Sequence, residues 1–117
     1  MVEILNREGL APEEVELVEM LKNSKQHKVL KFGAEWCPPC RAMKPVFEEY
    51  KANNPEIDFY DLDLGGKGTE PRYRIISAEF QIYGIPALYI LDSENRIIQR
   101  CRRLQEIELF KEVPEES

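Results

Sequence analysis

Long apolar runs are missing from these 117 residues. None approaches the roughly 20 residues a helix needs to cross a bilayer, so no membrane partner is expected. Positive charge is in deficit. Against 22 Asp and Glu stand 16 Lys and Arg, a net charge of −6 that argues against a general affinity for nucleic acid. Histidine occurs once, at His27, with no clustered ligand types, so no metal site is expected. Cysteine occurs three times, at Cys37, Cys40 and Cys101, too seldom for a disulfide scaffold. The first ten residues carry Glu3, Asn6, Arg7 and Glu8 and lack the basic start and apolar centre of a signal peptide. A cytoplasmic location is the expectation. Repeats, linkers and low-complexity segments are absent. Gly65-Gly66-Lys67-Gly68 has neither the spacing nor the Lys-Ser/Thr ending of a phosphate loop, and no cofactor is expected.

What is present suits one domain over residues 1–117, since an apolar fraction of 43% allows a real core. Residues 2–5 are a candidate edge strand. Ala11-Pro12-Glu13-Glu14 opens a helix, with Pro in the first turn and acidic groups at the positive end of the dipole. Val15, Leu17, Val18 and Leu21 form its expected apolar face. Residues 28–34 predict a strand, with Val29, Leu30 and Phe32 inward. The next helix is expected over 37–53, with Met43, Val46, Phe47 and Tyr50 at helical spacing and a kink at Pro45. Residues 57–64 alternate as a strand parallel to the first, completing a βαβ unit. A short helix is expected over 75–83, an antiparallel strand pair over 87–92 and 96–101, and a final helix over 104–113. That order predicts an α/β fold, a central mixed sheet with helices on both faces.

Trp36-Cys37-Pro38-Pro39-Cys40 carries the chemistry. A strand leads into the motif and a helix leads out, which sets one thiol at a helix N-terminus with a second within bonding distance. This is the arrangement of a dithiol that cycles with a disulfide, Cys37 acting as nucleophile and Cys40 as resolving thiol. Ligation of a metal or iron–sulfur group by the pair is a competing reading, as is a pair of unreactive structural cysteines. Cys101 reads as a small core residue; its alternative is a thiol activated by the field of Arg100, Arg102 and Arg103. Lys67, Arg72 and Arg74, with Arg41, read as solvated cations. Their alternative is a basic rim that selects acidic partners.

Ala34-Glu35-Trp36-Cys37 followed by Pro39-Cys40 and Pro45, together with the downstream segment 80–88 (FQIYGIPAL), resembles the thioredoxin family in order and spacing over nearly the whole chain. The resemblance implies a central mixed sheet of four to five strands flanked by about four helices. It implies a cis peptide at Ile85-Pro86 packed against the cysteine pair, with Pro86 receiving the substrate chain. Ile85 would offer backbone groups to an extended peptide, and Trp36 would flank the sulfurs. The activity implied is thiol–disulfide exchange, mostly as a reductant of protein disulfides. The chain would act as a monomer served by an external reductant such as a thioredoxin-reductase-type flavoprotein. A disulfide oxidase or isomerase and a binding module with little turnover are the alternatives.

Four departures accompany the resemblance. Pro38 stands where thioredoxins usually have Gly. Lys31 holds the place of a buried Asp and Asp61 lies near that of its Lys partner, which predicts either an ion pair with its members exchanged or a Lys31 that snorkels to solvent. The loop over 64–77 is longer than usual. Cys101-Arg102-Arg103 fills the stretch where a Gly usually follows the last strand.

Overall fold

The computed structural model describes residues 8–111, so the candidate strand over 2–5 lies outside the described residues. Helix α1 (Pro12–Asn23) begins on Pro12 and buries Glu14, Leu17, Val18 and Leu21. These four form one i, i+3, i+4, i+7 stripe. Val15, expected on that face, is 45% exposed, because Glu14 occupies the stripe position instead. The Glu14 carboxylate is satisfied there by three N–H donors: Ala11 at 2.9 Å, Ile75 at 2.8 Å and Ile76 at 2.9 Å. A buried carboxylate needs such partners.

The sheet has strand order β2-β1-β3-β4. Central β1 (His27–Gly33) runs parallel to β2 (Ile57–Asp63) and antiparallel to β3 (Ala87–Leu91), and β3 pairs antiparallel with β4 (Ile97–Cys101). Every residue of β1 after His27 is buried, as a strand covered on both faces requires. Leu30 and Phe32 point into one core with Leu17, Val18, Leu21, Ile76 and Phe80. Val29 points into the other, with Phe47, Phe59, Leu88, Leu104 and Ile107. By the period of two, Lys31 shares the Val29 face, and its Nζ lies 5.5 Å from the Phe47 ring centroid.

Helix α2 (Pro38–Asn53) covers that second face and continues through Pro45 without a break. Helix α3 (Arg74–Glu79) is shorter than the expected 75–83. It stops where Gln81 takes φ +57° and Ile82 N–H turns back to Ser77 O at 3.0 Å. The expected final helix is instead two 3-10 turns, Leu104–Glu106 and Glu108–Lys111. Gln99 on β4 separates them: its amide donates to Glu106 O at 2.6 Å and accepts from Glu108 N–H at 2.8 Å. Between the turns, Ile107 enters the core and is fully buried. The described residues therefore hold four strands, three α-helices and two 3-10 turns, a thioredoxin fold with fewer helices than expected.

Candidate active site

Strand β1 delivers the chain from the middle of the sheet to its end, where Ala34-Glu35-Trp36 turns it into α2. Cys37 is the N-cap of that helix and Cys40 lies in its first turn. The two are joined by a disulfide, with Cα atoms 5.2 Å apart. Both are buried, at 4% and 2% exposure. Pro38 and Pro39 have no N–H. The Cys40 N–H, 3.3 Å from Cys37 Sγ, is the amide the first turn gives to that sulfur. On the facing segment, the Ile85-Pro86 peptide is cis, and Ile85 O lies 4.0 Å from Cys37 Sγ. Ile85 packs against Ala34, Cys37 and Cys40.

Trp36 is 39% exposed and held by the long loop. Its Nε1 donates to Gly65 O at 2.7 Å, and Lys67 Nζ lies 4.7 Å from its ring centroid. The loop reaches it through four consecutive residues of positive φ, Gly65 to Gly68, a reversal that needs glycine at three of them. Asp63 Oδ1 fixes the start by accepting Gly65 N–H at 2.9 Å. Behind the disulfide, Lys31 Nζ and Asp61 Oδ1 are 3.5 Å apart on paired strands. The lysine side chain is 4% exposed and the aspartate 31%, so the pair runs from the protein interior to a wet opening. Lys31, Asp61, Asp63, Glu35 and Cys40 line a cavity of about 120 Å³, roomy enough for water. Gly33 forms part of its wall: a Cβ there would crowd Cys40 Sγ at 3.2 Å.

A family model described as Thioredoxin matches residues 11–113. This chain belongs to the thioredoxin family. It is 31% identical over 85 residues to Thioredoxin H5 of Arabidopsis thaliana, covering 73% of this chain and 66% of that protein. It is 28% identical over 108 residues to a thiol:disulfide interchange protein DsbE homolog of Paracoccus denitrificans, covering 80% of this chain and 60% of that protein. The chain thus spans less than two thirds of the length of these curated relatives. Among solved structures, thioredoxin f from spinach chloroplast (long form) superposes with a TM-score of 0.68 at 20% identity, over 93% of this chain and 88% of that one, a likeness of fold.

Within this thioredoxin-family chain, the structure gathers Trp36, Cys37, Pro38, Pro39, Cys40, Ile85 and Pro86 at one end of β1, with Lys31 and Asp61 behind them. Lys31 does not snorkel. The basic loop residues do not assemble into a rim. Arg41 donates to Glu35 O at 3.0 Å, Lys67 sits on the indole and Arg72 lies over the Tyr73 ring. Arg74 lines a separate depression with Glu13 and Glu70. The arginine field does not activate Cys101. Burial, then the Glu106 charge, pushes that thiol's pKa up, although the Arg103 backbone opposes the shift. Arg103 pairs with Glu106, and Arg100 lies over the Tyr89 ring. Two contributions escaped the sequence reading: the grip of Gly65 on Trp36, and Arg102, whose Nη2 donates to Ile85 O at 3.5 Å. The longer loop and the missing glycine were the signals for them.

No helix among the described residues is long and apolar enough to cross a membrane.

Proposed function

We propose that this chain is a thiol–disulfide oxidoreductase that reduces protein disulfides, with Cys37 as nucleophile and Cys40 as resolving thiol. The observation that carries the reading is the Cys37–Cys40 disulfide at the start of α2, facing Ile85 O beside cis-Pro86. From the dithiol, Cys37 loses its proton to solvent and its thiolate attacks one sulfur of the substrate disulfide. The substrate S–S bond breaks and its second sulfur leaves as thiolate. Cys40 then passes its proton, through water in the cavity, to the Asp61 carboxylate, with Lys31 holding that carboxylate in place. The Cys40 thiolate attacks Cys37 Sγ, and the substrate's first sulfur leaves. Both substrate thiolates take up protons. Two electrons have passed, and the chain is left as its disulfide.

The dithiol is restored by an external reductant, a thioredoxin-reductase-type flavoprotein or a small dithiol. Trp36 and Pro86 bound the approach to the sulfurs, and Ile85 offers backbone groups to an extended substrate. The chain acts as a monomer in a reducing compartment, the cytoplasm. The two prolines support the direction of flow. With two first-turn amides missing, a Cys37 thiolate gains less stabilisation, which favours the disulfide over the dithiol and makes the pair a reductant.

A relative named for thiol:disulfide interchange gives the oxidase or isomerase direction some standing as a second reading. Titration of the pair in defined glutathione buffers, read by thiol alkylation, separates them. A two-electron transition at or below roughly −250 mV is expected; one above about −200 mV favours the oxidase or isomerase. The absence of any transition overturns both and leaves a binding module.

A further inference from the structure

Three arginines surround Cys101, and two are engaged. Arg103 Nε pairs with Glu106 at 3.6 Å, and Arg100 lies over Tyr89. The third, Arg102, is exposed and has no carboxylate or ring partner among the described residues. Its guanidinium rests on the backbone that faces the disulfide. Nη2 donates to Ile85 O, the same oxygen that lies 4.0 Å from Cys37 Sγ. Gly84 makes the seat: a Cβ there would stand 3.3 Å from Nη1 and 3.5 Å from Nη2, tight enough to displace the group. One long hydrogen bond uses one of five donors, and the planar fork of the others is free for a carboxylate. Glu106, which follows four residues on, is taken by the N–H groups of Arg102 and Arg103 and by the Arg103 side chain. Beside Gly84, Tyr83 is 90% exposed and offers an aromatic surface to the same approaching chain.

We propose that Arg102 is a specificity-determining residue that selects peptide disulfides carrying a carboxylate beside the reacting cysteine. The inference rests on the oxidoreductase reading above and names the substrate class of that site. On a chain of net charge −6, acidic segments are disfavoured in general. A cation with no acidic partner among the described residues, linked to the attacking sulfur through Ile85 O at 3.5 Å and 4.0 Å, reverses that preference locally, and adds register through a bidentate pair.

The test uses the full chain, reduced, and two peptides each closed by one disulfide, identical except for Asp or Asn beside the cysteines. The readout is the ratio of their second-order reduction rates within each variant, which a change in folding or intrinsic reactivity leaves in place. The Asp peptide is expected to react about three- to fivefold faster at low salt. High salt should bring the ratio toward one. Arg102→Gln should abolish the preference, and Arg102→Lys should keep part of it. Equal rates in the unmodified chain, or a preference that survives Arg102→Gln, overturn the proposal while the oxidoreductase reading stands. Reduction of neither peptide overturns both.

Discussion

Glu14, Lys28 and Lys31 are charged side chains buried in this fold, and Lys31 and Glu14 each have a local reason that bears on the site or its support. Lys31 occupies an inward position of the central strand, and Asp61, its register partner on β2, supplies the opposite charge at 3.5 Å. The ammonium lies inside and the carboxylate at the wet mouth of the cavity, and the mechanism proposed above sends the Cys40 proton to Asp61. Replacing Asp61 by Asn should therefore slow resolution of the mixed disulfide at least about tenfold and leave the first attack by Cys37 little changed. Stopped-flow separation of the two phases checks this. Glu14 is buried because three backbone N–H groups converge on it, two of them opening α3. In Glu14→Gln one carboxylate oxygen becomes a donor facing those donors. A loss of about 2 kcal/mol in urea unfolding is expected.

At the scale of elements, the turn between β3 and β4 carries its own pH dependence. Burial would push the Asp92 carboxyl up, but the N–H groups of Arg96 and Glu94 and the Arg96 side chain outweigh it and pull the pKa from 3.8 to about 2. A carboxylate whose folded pKa lies below its unfolded one stabilises the fold above the unfolded value and loses that contribution as pH falls from about 4 to about 2. Urea midpoints measured across that window should fall more steeply in the parent chain than in Asp92→Asn. The turn itself was legible in Ser93-Glu94-Asn95, as were all four described strands and the long helix, because period and breakers settle such segments locally. The ends were less legible, because contacts from elsewhere in the chain decide them. The last helix breaks because Gln99, on a different element, donates to Glu106 O on one side of Ile107 and accepts from Glu108 N–H on the other. Val15 faces water because Glu14 has partners 61 and 62 residues away. The cysteine pair and the Ile-Pro segment were readable because they are short motifs. Arg102 at Ile85 was not, since a contact 17 residues apart leaves no period in the chain.

For the molecule as a whole, the disulfide follows β1, one of the two interior strands of the sheet, while helices cover both faces. Site and core thus share one element, and redox state and global stability are thermodynamically linked. Closing the short Cys37–Cys40 loop restricts the unfolded chain by about 2 kcal/mol in the loop-entropy account. The oxidised chain should outlast the reduced one in urea by a margin of that order. An equal or lower midpoint would mean that the folded dithiol gains as much as the bond provides. That difference also reports how far folding moves the couple from that of the unfolded chain.

The clasp on Trp36 has an optical consequence. An excited indole readily passes an electron to a neighbouring disulfide and goes dark, whereas a dithiol is a poorer acceptor. This indole is the chain's only one, is next in sequence to Cys37, and is held in one orientation by Gly65 O and Lys67. Its emission intensity should therefore follow the oxidation state of the sulfurs, and the wavelength of its maximum should follow whether the long loop still holds it. One chromophore reports two events on separate axes, with no label attached.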